Sequence, residues 1–85
     1  MKTKIIHACD MIAIPRKLLL DPKLSLTAKG VAGALLTFND RDYSIAELSE
    51  ETGASVEDLL YGLGELLAHG YICYQNNAYI LKEVL

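Results

Sequence analysis

No lysine or arginine occurs between Asp42 and Leu81, a span that holds seven acids. Nucleic-acid affinity draws on cations that neutralise phosphates, so this half of the chain is poorly supplied for it. Tryptophan is absent and phenylalanine occurs once. The only cysteines are Cys9 and Cys73, too few for a disulfide framework or a four-cysteine zinc site. His7 and Cys9 lack a second ligand pair at zinc spacing, and neither His7 nor His69 has a neighbouring acid or nucleophile that marks a catalytic group. There is no phosphate loop and no dinucleotide fingerprint. No apolar run approaches membrane-spanning length. The opening, Met1 to Ile14, is broken by His7 and Asp10 and does not read as a signal peptide. The expectation is a cytoplasmic, non-enzymatic chain without metal or cofactor. Its two cysteines are then reduced thiols, or a Cys9–Cys73 bridge if the N-terminal strand lies beside a C-terminal hairpin.

What is present is apolar. The 85 residues are 52% hydrophobic with a mean hydropathy of +0.23. A domain this small hides only a modest core, so the surplus points to a homodimer or to a partner covering an apolar patch. Charge is divided unevenly. Residues 1–41 carry seven cations and three acids, a surplus of four positive charges, while residues 42–81 carry seven negative charges and no positive one. Such asymmetry bears on the choice of partner rather than on fold.

Periodicity and punctuation divide the chain into a short arm or strand over 1–14, helices at about 15–20, 27–38, 44–52 and 55–69, and a hairpin over 71–82. Pro15 suits the first position of a helical turn. Thr27 reads as the N-cap of the second helix, in which Gly30 and Gly33 imply close approach by another backbone. Ser44 and Glu47 form a capping box, and Gly53 fits a left-handed C-cap. Ser55 starts the last helix, whose apolar stripe is Val56, Leu59, Leu60, Leu63, Leu66 and Leu67. Its remaining face is Glu57, Asp58, Tyr61, Gly62 and Glu65. Asn76-Asn77 is the tight turn of the hairpin, since asparagine tolerates positive φ.

The runs Ile14-Pro15-Arg16-Lys17-Leu18-Leu19, Leu24-Ser25-Leu26-Thr27-Ala28-Lys29-Gly30, Ser44-Ile45-Ala46-Glu47-Leu48 and Thr52-Gly53-Ala54-Ser55 resemble the winged helix-turn-helix domains of bacterial and phage replication initiators. Leu66-Leu67 followed by Gly70-Tyr71-Ile72 extends the resemblance, which covers about residues 10 to 82. It implies a mainly α domain with a small β-hairpin, a single winged helix-turn-helix, encoded by a phage or mobile element. DNA-binding relatives usually present Arg, Lys, Asn or Gln on the exposed face of the second helix of the motif. This chain presents acids there, and the hairpin has no cation before Lys82.

Two functions follow from this departure. In the first, the chain is a protein-binding regulator or inhibitor that engages a basic surface of a host or phage protein through Glu57, Asp58, Tyr61 and Glu65. It could thereby block a partner that binds nucleic acid. In the second, it is a DNA-binding transcription or replication-initiation regulator. It docks as a dimer through its basic half, with Lys2, Lys4, Arg16, Lys17, Lys29 and Arg41 on phosphates. A solvated acidic face is the plainer account of the carboxylates, because Glu57 and Asp58 suit the first turn of any helix. A plainer account of the whole is an oligomerisation domain that meets itself through Gly30, Gly33 and the apolar residues 11–14.

Overall fold

The computed structural model describes residues 12–38 and 41–81. Four helices precede one antiparallel hairpin: α1 (Arg16–Leu19), α2 (Leu26–Thr37), α3 (Ile45–Thr52), α4 (Val56–Ala68), β1 (Ile72–Gln75) and β2 (Ala78–Leu81). The chain is thus mainly helical with a small two-stranded sheet. Of the arm or strand expected over residues 1–14, the described part, residues 12–14, forms no strand, and residues 1–11, with His7 and Cys9, lie outside the described residues, as do Lys82 and the centre of the turn at Asn39-Asp40.

Side-chain hydroxyls start three of the helices. Ser44 Oγ accepts the Glu47 N–H at 3.1 Å while the Glu47 carboxylate accepts the Ser44 N–H at 3.0 Å, so the expected capping box is formed. Ser55 Oγ accepts the Asp58 N–H at 3.1 Å and opens α4. Helix α2 is capped by Ser25, whose Oγ accepts the Ala28 N–H at 3.1 Å. Thr27, read from the sequence as that cap, lies inside the first turn. Ser25 outcompetes it because a second element holds it in place, as described below.

Chain reversals follow the residues that tolerate them. Gly53 closes α3 at φ +75°, and the following Ala54 is tied back by Ser49 Oγ donating to its carbonyl at 2.7 Å. Only Gly53, Ala54 and Ser55 separate α3 from α4. Helix α4 ends with Gly70 at φ +79°; the Gly70 N–H reaches the Leu67 carbonyl and the Tyr71 N–H the Leu66 carbonyl. That pair of bonds is the Schellman exit, which satisfies carbonyls the helix leaves open. Asn76 and Asn77 both take positive φ, 51° and 62°, as a two-residue hairpin turn requires. The register pairs Ile72 with Leu81 and Tyr74 with Tyr79, whose rings meet edge to face at 4.9 Å.

The core is built from Leu18, Leu24, Ala28, Val31, Ala32, Leu48, Leu59, Leu63, Leu66, Tyr71 and Ile72. It lies between α2 and α4, and Leu18 of α1 and Ile72 of β1 are buried in it. Tyr71 is buried but its hydroxyl donates to Asp21 Oδ2 at 2.6 Å, so the loop after α1 is fastened to the start of the hairpin. This bond is the main reason the Asp21 carboxyl is held below, and the Tyr71 hydroxyl above, the ordinary range.

The close approach expected at Gly30 and Gly33 occurs elsewhere. A Cβ at Gly30 would meet nothing within 4 Å, and one at Gly33 only the tip of the Ile14 side chain at 3.8 Å. The tight contact is at Gly62 in α4, which is buried rather than exposed. A Cβ there would overlap the Val31 side chain and stand 3.3 Å from the Ala28 Cα. Val31 is branched at Cβ and has no rotamer to retreat into without strain. Substitution of Gly62 by Ala should therefore lower stability by about 1–3 kcal/mol through overpacking. Gly64 lies in the same helix with open space around it, and there alanine should raise stability by up to about 1 kcal/mol. Denaturant midpoints of the two variants should move in opposite directions.

Candidate functional site

Helix α4 carries the residues singled out from the sequence, and the structure divides them into two groups. Glu57 and Asp58 are exposed in its first turn, where the positive end of the helix dipole favours carboxylates. Glu65 turns the other way, toward α2. Its carboxylate accepts the Ser25 N–H at 3.0 Å and the Ser25 hydroxyl at 2.7 Å. Those two bonds, opposed by partial burial, hold the Glu65 carboxyl below its ordinary value of 4.5. The charge also sits at the N-terminus of α2, which is electrostatically favourable. Tyr61 is 60% exposed, and its hydroxyl is raised above its usual range first by a hydrogen bond to Glu65. Ser25 and Glu65 therefore form a polar link across the α2–α4 seam, with Tyr61 exposed one turn before Glu65 on the same helix. Glu65 is engaged inside the fold, and the face left for a partner is Glu57, Asp58 and Tyr61.

An apolar line missed in the sequence runs beside that face. Val56, Leu60 and Leu67 are 43%, 49% and 44% exposed, whereas Leu59, Leu63 and Leu66 are buried. Spacings of four, seven and eleven place the exposed three along one line of the helix. All six read as a single core stripe in sequence. The signal that separates them is azimuth: Leu60 and Leu67 sit at the outer edge of an arc too wide for one neighbouring helix to cover. Gly64 lies between Leu60 and Leu67 and leaves the backbone open along that line.

The α3–α4 corner adds to the negative charge. Glu50 and Glu51 are exposed in the last turn of α3, which contains no basic residue. Neither they nor Glu57 and Asp58 form a salt bridge with another described residue. Carboxylates at a helix C-terminus face the negative end of the dipole, so helix energetics do not account for this pair.

The cations of the alternative reading are dispersed or engaged. Arg16 and Lys17 are exposed on α1, and Lys29 is half-buried on α2. Arg41 contacts Glu47 at 3.0 Å, lies 4.0 Å over the Tyr43 ring and donates to the Asp42 carbonyl. Lys2 and Lys4 lie outside the described residues, as does Cys9; Cys73 is half-buried on β1. Among the described residues no cluster of three His, Cys, Asp or Glu is placed to hold a metal, and no helix is long and apolar enough to cross a membrane. A cavity of about 1540 Å³ opens between the hairpin and the α2–α3 corner. It is lined by Ile14, Phe38, Tyr43, Tyr74 and Tyr79, and its charged lining residues are Arg41 and Asp42.

Replacing Glu65 with Gln keeps the shape but removes the charge that Ser25 and the α2 terminus favour. Because the carboxyl is depressed in the folded chain, its contribution is complete above the unfolded value of 4.5 and is lost as pH falls through the folded value. The variant should melt below the wild type at neutral pH, and the gap should narrow as pH drops under 4.5. A gap that is constant with pH would show that the charge is not what matters.

Comparison with protein families, with characterised proteins and with solved structures finds no match.

Proposed function

We propose that the chain is a winged helix-turn-helix module that acts as a protein-binding regulator, with α4 in the position of the recognition helix and the hairpin as the wing. Support for the fold reading is the order of α2, α3, α4 and hairpin, together with the three-residue turn at a left-handed Gly53. The observation that carries the functional reading is the exposed front of α3 and α4. It presents Glu50, Glu51, Glu57 and Asp58 beside Tyr61, Leu60 and Val56, without a cation. A DNA phosphate brought to this face meets four carboxylates and no compensating charge. A basic protein surface finds complementary charge, an aromatic anchor and apolar contact area together. The sharpest form of this reading is an inhibitor, carried by a phage or mobile element, that occupies the nucleic-acid-binding surface of a basic host or phage protein.

The DNA reading keeps one observation in its favour. Arg16 and Lys17 are exposed and no described carboxylate lies within ion-pair distance of them.

Two measurements separate the readings. Titration into fluorescent double-stranded DNA at low salt should show no binding; affinity that falls steeply with salt and is lost on replacing Arg16 and Lys17 would overturn the proposal. Tagged wild-type chain and the Glu57→Lys/Asp58→Lys variant should then be compared for retained host proteins. The double reversal should weaken binding of the specific partner more than about tenfold while leaving the circular dichroism unchanged. Equal retention by both would remove these two residues from the site.

A further inference from the structure

The chain carries a second exposed apolar surface, and its charge is opposite to that of α4. Leu20 and Leu26 are 69% and 85% exposed, and Leu19 is also exposed. They lie on α1, its following loop and the first turn of α2. The same stretch, residues 16–29, holds Arg16, Lys17, Lys23 and Lys29 against the single acid Asp21. Asp21 is already bound to the Tyr71 hydroxyl and the Lys23 N–H. No described carboxylate pairs with these four cations. This shoulder is therefore apolar and basic, where the α4 face is apolar and acidic.

The two surfaces are neighbours. Ser25 precedes Leu26 and is hydrogen-bonded to Glu65, which shares its line of α4 with Tyr61 and Asp58, so the start of α2 adjoins the Tyr61–Asp58 edge of the exposed arc, and Val56, Leu60 and Leu67 lie toward the far edge. We propose that a second copy of this chain covers both surfaces. The α4 face of each protomer, through Leu60 and Tyr61 with Glu57 and Asp58, packs on the Leu20–Leu26 shoulder of the other with Arg16 and Lys17. A two-fold axis satisfies two side-by-side complementary patches at once, because residue i of one copy meets residue j of the other and the reverse. Pairing α4 against α4 would instead bring Glu57 and Asp58 onto their own copies, and pairing shoulder against shoulder would oppose Arg16 and Lys17. Gly64 lets the incoming surface approach the α4 backbone between Leu60 and Leu67. This arrangement rests on the reading of α4 as an interaction face. It names a partner for that face, and any foreign basic protein would compete with the second copy for it.

Sedimentation of the full chain at several concentrations and two salt levels is the test. Wild type should form a dimer that weakens with salt. Glu57→Lys/Asp58→Lys and Arg16→Glu/Lys17→Glu should each be monomeric, since each brings like charges together. Mixed one to one, the two variants should form a dimer again, because the reversed α4 face now fits the reversed shoulder; this recovery also shows that both are folded. Leu20→Ser and Leu60→Ser should each weaken the wild-type dimer more than about tenfold, as expected of apolar contacts at the centre of an interface. A wild type that is monomeric at every concentration, variants that dimerise unaided, a mixture that stays monomeric, or growth beyond two copies would each overturn the proposal. Monomeric wild type together with partner retention that depends on Glu57 and Asp58 would end self-association and leave the foreign-partner reading intact.

Discussion

The missing side chain of Gly62 sets the separation of α2 and α4, and the other elements take their places from that contact. At this distance the Ala28 backbone and the Val31 side chain fill the space a methyl group would need. The same proximity lets the Glu65 carboxylate reach the Ser25 cap, so apolar contact and charge-assisted hydrogen bonding reinforce each other along one seam. Helix α3 is attached to α4 through the Gly53 turn, and the hairpin leaves α4 through the Gly70 exit. Tyr71 then returns to Asp21 and closes the loop after α1 onto the same seam. One helix thus touches α2, α3 and β1, and only its outer arc is left uncovered.

That arrangement sorts the carboxylates by work. Asp21, Glu47 and Glu65 each accept hydrogen bonds from neighbouring elements or caps, and each is held below its ordinary range for that reason. Their charge is spent on holding a loop, opening α3 and opening α2. Glu50, Glu51, Glu57 and Asp58 form no salt bridge with a described residue, and they flank the three-residue turn between α3 and α4. The acidic balance of the second half of the chain is therefore not spread evenly over its surface. Six of its seven acids separate into Glu47 and Glu65, which stabilise helix starts, and Glu50, Glu51, Glu57 and Asp58 at one corner, while Asp42 lines the cavity beside the hairpin.

Much of the fold was legible because the signals are local. Ser44 with Glu47, Gly53, Ser55, Gly70 and Asn76-Asn77 each act within a few residues, and each produced the cap or turn its chemistry requires. The errors are contacts between distant segments. Thr27 and Ser25 are both competent N-caps in sequence; the Glu65 carboxylate, forty residues away, decides for Ser25. Gly30, Gly33 and Gly62 look alike as helical glycines, and only packing tells which of them a second helix approaches. At the candidate site, Glu57 and Asp58 were legible as exposed acids, whereas Glu65 was not separable from them by residue type. Leu60 and Leu67 passed for core because periodicity gives a direction along the helix and not the width of what covers it.

The acids of the corner differ in how much they say about function. Glu57 and Asp58 lie at the positive end of α4, where carboxylates are worth a few tenths to about 1 kcal/mol each without any partner. Their presence alone does not require a ligand. Glu50 and Glu51 lie at the opposite end of α3, where the same field disfavours them by a similar amount and a basic residue would have been the stabilising choice. Four uncompensated carboxylates across one short turn also repel one another, and screening by salt reduces that cost without reversing its sign. Local helix energetics accounts for one pair and opposes the other. Positive charge brought by a docked protein surface would relieve both the dipole term and the mutual repulsion, so Glu50 and Glu51, rather than the more conspicuous Glu57 and Asp58, are the residues whose presence argues for a basic partner at this corner.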